Sequence, residues 1–166
     1  MITLERITVE NALLFKAVRL RALLDSPTSF SGTYAKESQL SVEDWLERSL
    51  RWSSDGSIGL LAFDNGNACG IVAGYVELHD SLQAHVVSMW VDPAYRRLGV
   101  GVVLIDALQE WAKARGVLAL KLMVTSVNLG AIKFYERIGF CTSGKVAPYP
   151  NDPAITEYEM LLPLRT

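Results

Sequence analysis

The segment Val91-Asp92-Pro93-Ala94-Tyr95-Arg96-Arg97-Leu98-Gly99-Val100-Gly101 runs from a strand end through a glycine-bearing turn into a helical pattern. That order suits an anion. A helix N-terminus carries N–H groups without partners and a partial positive charge, and glycine lets a phosphate approach the backbone where a Cβ would stand. Arg96 and Arg97 add charge beside it. Two other phosphate loops are disfavoured. No Gly-Lys-Ser/Thr ending is present, and Gly99-Val100-Gly101 lacks the third glycine of a dinucleotide fingerprint. Taken alone, the stretch equally describes a helix that follows a glycine turn and a surface arginine pair.

Asn128 and Tyr135 stand seven residues apart, two helical turns, and so share a face of the helical pattern that ends at Ile138. A phenol, with an ordinary pKa near ~10, keeps its proton at neutral pH and can hand it to a departing thiolate, whose ordinary pKa is near ~8.5. The plainer reading makes Asn128 an N-cap and Tyr135 a packing aromatic. His85, opening an apolar strand, and Glu77, on the strand before it, are candidate proton acceptors, directly or through water. Both equally suit the surface of a hairpin. Cys141 has no histidine beside it in sequence, and it and Cys69 read as small buried hydrophobes. Lys133 and Arg137 read as solvent-facing helical charges.

The loop Arg96-Arg97-Leu98-Gly99-Val100-Gly101 resembles the R/Q-x-x-G-x-G/A acetyl-coenzyme A signature of the GNAT superfamily of N-acetyltransferases. Its setting matches too, with Ser88 to Pro93 before it and a helix from Val102 to Arg115 after it. A second segment, Asn128 to Phe140, is similar to the family's N-x-x-A-x-x-x-Y-x-x-x-G-F, through Asn128, Ala131, Tyr135, Gly139 and Phe140. Together the two cover about residues 84–145, while residues 1–83 fit in element order only.

The resemblance implies an enzyme that transfers the acetyl group of acetyl-CoA, its cosubstrate, directly to a primary amine of a small molecule or peptide, without a metal. It implies that the backbone of Met89, Trp90 and Val91 pairs with the pantetheine arm. The amides of Arg97, Leu98, Gly99, Val100, Gly101 and Val102, with Arg96 beside them, would take the diphosphate. Asn128 and Tyr135 would face the arm, Tyr135 would protonate the departing thiolate, and a backbone N–H of Met89–Val91 would stabilise the oxyanion. A homodimer is a further expectation, since relatives often pair through exposed strands or C-terminal segments.

The chain departs from its ribosomal-protein N-terminal acetyltransferase relatives at one point. Those carry glutamate five residues before the asparagine, where this chain has Met123, and a thioether accepts no amine proton at neutral pH. Histone-type relatives place a glutamate early on the strand before the loop, which puts His85 ahead of Glu77. An alternative of another class is a non-catalytic acyl-CoA sensor or interaction module, against which Tyr135 speaks.

The elements that must position these residues follow from periodicity and punctuation. Ile2–Thr8 alternates as a strand, and Leu13, Ala17, Leu20 and Leu24 predict a helix that stops at Asp25-Ser26-Pro27. Ser26–Gln39 reads as a loop. Ser41 and Asp44 form a capping-box pattern ahead of a helix whose apolar face is Trp45, Leu46 and Leu50. Ile58–Phe63 and Cys69–Leu78 flank Asp64-Asn65-Gly66-Asn67, a hairpin turn. Ala84–Val91 is a buried-strand run, and Ile105, Leu108 and Ala112 mark the helix ending at Gly116. Leu118–Val124, a helix Leu129–Ile138, and strands Phe140–Lys145 and Ile155–Leu162 complete the chain. With the resemblance, this predicts an α/β (α+β) GNAT fold. Its central sheet is mixed and mostly antiparallel, of about seven strands flanked by about four helices, with splayed strands forming the CoA slot.

Composition sets outer limits. The 166 residues fit one domain, 1–166, with 50% hydrophobic and 20% charged residues, neither suggesting disorder. A net charge of -2 supplies no basic field for nucleic acid. Met1–Glu10 lacks the apolar core of a signal peptide, and no apolar run reaches membrane-span length, so a cytoplasmic protein is expected, with neither nucleic acid nor membrane as partner. Two histidines, His79 and His85, and two distant cysteines make no zinc pattern.

Overall fold

A computed structural model describes residues 1–165. Seven strands, β1 (Ile2–Arg6), β2 (Ser57–Asp64), β3 (Asn67–Val76), β4 (Gln83–Val91), β5 (Ala119–Thr125), β6 (Cys141–Tyr149) and β7 (Asp152–Pro163), form one sheet in the order β1-β2-β3-β4-β5-β7-β6. Every neighbouring pair is antiparallel except β4 and β5. The helices are α1 (Ala12–Asp25), a single turn α2 (Tyr34–Glu37), α3 (Val42–Trp52), α4 (Val100–Ala114) and α5 (Leu129–Arg137). The predicted mixed sheet with flanking helices is the observed architecture.

Local chemistry accounts for several boundaries. The β2–β3 turn places Asn65 and Gly66 at φ 50° and 83°, the doubly left-handed turn whose twist matches a hairpin. Ser41 Oγ accepts from the Asp44 amide at 3.2 Å while Asp44 accepts from the Ser41 amide at 3.0 Å, so α3 begins with a reciprocal capping box. The segment expected to be a loop, 26–39, contains α2 and a 3-10 turn at Pro27–Ser29. Thr33 caps α2 through its hydroxyl, and Pro27 starts the turn because its fixed φ suits a first helical position.

The sheet divides two cores. One face packs on α4 and α5 through Val86, Leu104, Leu108, Leu120, Leu122 and Phe140. The other packs on α1 and α3 through Phe15, Trp45, Leu61, Ile71 and Trp90. On α1 the buried stripe is Ala12, Phe15, Val18, Ala22 and Leu23, which corrects the expected one: Leu13 and Leu24 are 60% and 62% exposed. The two stripes lie side by side on the helix, and the one carrying Phe15 wins because that ring packs edge-on against Trp45 at 5.3 Å. On α3, Trp45 and Ser49 are buried, whereas Leu46 and Leu50 face solvent. The burial expected of both cysteines holds for Cys69 only. Cys141 is exposed because it opens β6, the outermost strand.

Candidate active site

The cleft originates in an interrupted strand pairing. Gln83–His85 pair with Ala119–Lys121, three residues on each strand, after which β4 continues to Val91 and β5 to Thr125 without further pairing. A bulge in β4 lies just beyond the last pair. The β3–β4 register slips by one residue between Val87 and Trp90, and Ser88 sits at φ 57°, a region non-glycine residues rarely occupy. The extra residue also inverts side-chain parity. Before it, Val86 packs on the α4 face, and after it, Trp90 packs on the α1 face, where without the slip it would join Val86. A polar clamp holds the bulge. Arg19 Nη1 donates to Ser88 Oγ at 3.1 Å, while Nε and Nη2 bind both Glu37 oxygens at 3.0 Å. Arg48 Nη1 donates to Glu37 as well, at 2.9 Å.

The resulting cleft, about 440 Å³, passes between the strands from one sheet face towards the other. His85, Met89, Asn128 and Tyr135 line it, as the sequence suggested. Trp90 and Val91 do not. The Trp90 indole is buried in the α1 core, where Nε1 donates to Asp25 at 2.9 Å and Arg21 lies over the ring. The Tyr135 side chain is almost fully buried, edge-on to Phe140 at 5.4 Å, and burial pushes its phenol well above the ordinary value. The phenol therefore stays neutral throughout the physiological range.

Beyond Met89 the chain enters the glycine turn. Gly99 caps α4 at φ 87°, a left-handed conformation that side chains resist, and offers no side-chain cap, so the first-turn amides of α4 remain available. Gly101 serves a different purpose. A Cβ there would stand 2.8 Å from the Phe134 ring and 3.3 Å from Met89 Cε, so its absence lets α4 approach both α5 and the cleft. Leu98 is exposed and Arg97 is left-handed at φ 64°. Arg96 is committed elsewhere, its guanidinium binding the Val91 carbonyl at 2.9 Å and the Asp25 carboxylate. Burial opposes ionisation of Asp25, but bonds from Trp90, Ser26 and Arg96 outweigh it and hold that carboxyl below its usual range.

Asn128 acts as cap and tether together. Its Oδ1 accepts from the Ala131 amide at 3.2 Å and its Nδ2 donates to Ser29 Oγ at 2.8 Å. His85 stacks on Tyr75 at 4.7 Å, and its Nε2 meets Glu77. The hydrogen bond with His85 holds the Glu77 carboxyl below its ordinary value, and Lys121 adds to this from 3.4 Å. Glu77 itself faces away from the cleft. It lines a separate concavity of about 530 Å³ with Arg48, Arg51 and Trp52, which Tyr135 and β5 do not reach.

Sequence reasoning missed Arg19, Phe30, Tyr75, Tyr149 and Glu157, all lining the cleft from distant elements. Tyr149, on the β6–β7 hairpin, reaches the Pro27 carbonyl at 3.0 Å and the Phe30 carbonyl, and Thr125 Oγ1 donates to Thr28 at 3.1 Å. The segment 27–30 is thereby latched over the splayed strands. No spacing rule pairs residues 119 or 122 positions apart.

A family model described as acetyltransferase (GNAT) family matches residues 19–140. The chain belongs to the GNAT acetyltransferase family. It is 38% identical over 82 residues to an uncharacterized N-acetyltransferase of Methanocaldococcus jannaschii, covering 46% of this chain and 35% of that protein. Over 115 residues it is 30% identical to the [ribosomal protein bS18]-alanine N-acetyltransferase of Escherichia coli K12, covering 68% of this chain and 75% of that one. The chain thus spans about a third of the first relative and three quarters of the second. In fold, this GNAT chain superposes on an acetyltransferase from Salmonella typhimurium, solved with acetyl-CoA, with a TM-score of 0.79, 17% identity, and coverage of 100% of this chain and 95% of the other. Among the described residues, no helix is long and apolar enough to cross a membrane.

Proposed function

We propose that this GNAT chain is an acetyl-CoA dependent N-acetyltransferase acting on a primary amine. The observation that carries this reading is the opening of β4 from β5 after three pairs, with Tyr135 buried in the opening and the first turn of α4 packed against Met89 at its end. The residues fit the cosubstrate. An unpaired strand edge suits an amide-bearing arm, as an added strand would, and uncapped helix amides suit a diphosphate. When bound, acetyl-CoA supplies an acetyl thioester that an amine can attack without a covalent enzyme adduct.

The chain's own groups take the remaining tasks. Val86 to Met89, the cleft-lining part of the unpaired β4 edge, offers backbone to the arm, and the amides of 97–102 bind the diphosphate. Tyr135 holds a proton for the departing sulfur. A backbone N–H of the β4 edge donates to the carbonyl oxygen as charge develops there. His85 faces the cleft with Glu77 behind its Nε2, which makes His85 the proton acceptor and Glu77 its orienting partner. Met123 also lines the cleft and cannot take that role, which argues against a glutamate-dependent N-terminal alanine mechanism.

The test is thiol release from acetyl-CoA with and without a panel of primary amines. Amine-dependent release is expected. Saturable CoA binding without release for any amine would favour a sensor, and no CoA binding would overturn the reading altogether.

A further inference from the structure

Glu157 lines the same cleft from β7, opposite Thr125, the last residue of β5. Its carboxylate makes no hydrogen bond or ion pair among the described residues. Its acidic neighbours are all occupied. Glu37 is held by Arg19 and Arg48, Glu77 by His85 and Lys121, and Glu159 accepts from Ser143 Oγ at 2.8 Å. Arg19, the arginine that lines the cleft, is committed to Glu37, which Arg48 also binds. Glu157 is thus the carboxylate that lines the cleft, and it has no cationic partner among the described residues. Burial raises the Glu157 carboxyl above its ordinary value. Phe30, Tyr75 and Tyr149 line the cleft with it, and the Phe30 ring already carries one cation, the Arg19 guanidinium at 4.9 Å.

A carboxylate set against the reacting nitrogen would stabilise its ammonium form and slow attack, whereas the same carboxylate set against a second cation binds the acceptor without that cost. The positions agree with the second use. Tyr135 and Met89 belong to the α4 and α5 side, and Glu157 pairs in register with Thr125, on the side where segment 27–30 lies.

We propose that Glu157 determines acceptor specificity, selecting amines that carry a second cationic group and rejecting those with a carboxylate in its place. This rests on the acetyltransferase reading above. The test measures equilibrium binding, in the presence of CoA, of 1,4-diaminobutane, n-butylamine and 4-aminobutanoate, which share a four-carbon frame but differ in far-end charge. The wild-type protein is expected to bind the diamine at least about tenfold more tightly than butylamine, ~1.4 kcal/mol, with the amino acid weakest. Glu157→Gln should bring the diamine to within about twofold of butylamine, and Glu157→Lys should favour 4-aminobutanoate, with CoA affinity retained in both. Equal affinities in the wild type, no detectable diamine binding, or an undiminished preference in Glu157→Gln would each overturn the assignment. If CoA itself fails to bind the wild type, the acetyltransferase reading falls, and this one with it.

Discussion

The two sides of the cleft are built on different principles. The side proposed for the cofactor consists of backbone: an unpaired strand edge, a left-handed glycine and the first turn of α4, all from one continuous stretch of chain. The acceptor side consists of side chains. Arg19, Phe30, Tyr75, His85, Tyr149 and Glu157 arrive from α1, the segment after it, two strands of the first hairpin region and the last hairpin. Backbone recognition fits one invariant cosubstrate, while side chains can be exchanged singly without disturbing the sheet.

The sharpest way to separate the two sides is Tyr135→Phe. The phenol sits at their boundary, and its removal should slow single-turnover transfer by roughly 10²-fold to 10⁴-fold while CoA affinity stays within about twofold. Equal loss in both would make Tyr135 a packing residue of the cofactor side.

The clamp on the Ser88 bulge comes next. Replacing Glu37 by alanine strands Arg19 and Arg48, whose guanidiniums converge on a buried carboxylate, and should destabilise the fold by about 3–5 kcal/mol in denaturant titration. Burial is the largest single influence on Glu37 and opposes its charge, but Arg19 and Arg48 together outweigh it and hold its carboxyl below the ordinary value. Its contribution is therefore complete above the unfolded value near ~4.3 and fades as pH falls through the lower folded one. Stability measured from pH 6 down should decline less steeply in Glu37→Gln than in the wild type. Parallel curves would remove the ion pair from the account.

Gly101→Ala probes the cofactor frame alone. Its Cβ would meet the Phe134 ring at 2.8 Å, so a cost of about 1–3 kcal/mol is expected, relieved in part by Phe134→Leu. Gly99→Ala meets nothing within 4 Å and should cost through its φ of 87° only, about 1 kcal/mol. If the two variants behaved alike and Phe134→Leu gave no relief, the packing role of Gly101 would be wrong. The smallest effect belongs to Asn128→Ala, about 1 kcal/mol for a lost N-cap, with added mobility of segment 27–30 read by hydrogen exchange.

Much of this molecule was legible because its signals are local. Asn65-Gly66 dictates a hairpin turn, Ser41 with Asp44 a helix start, and the 3.6-residue spacing of Ile105, Leu108 and Ala112 a buried face. The glycine turn before α4 is local too, since a left-handed residue and an open helix end both belong to neighbouring residues. Local pattern failed where two answers were equally good. Helix α1 carries two apolar stripes, and only the place of Trp45 on α3 selects the one with Phe15. Cys141 has the composition of a core residue, and only the strand order puts it at an edge.

From residue types and spacing alone came seven strand segments, a glycine turn of a kind that suits an anion, and Asn128 and Tyr135 on one helical face. The tertiary structure decided what those groups meet. One extra residue in β4 turns Trp90 to the opposite core and places Ser88 within reach of Arg19. Register of this kind depends on the partner strand, so β4 read by itself cannot show it. The same holds for Glu157, one of several acidic residues in the chain until the sheet order carries β7 beside β5 and leaves its carboxylate facing the cleft without a partner among the described residues.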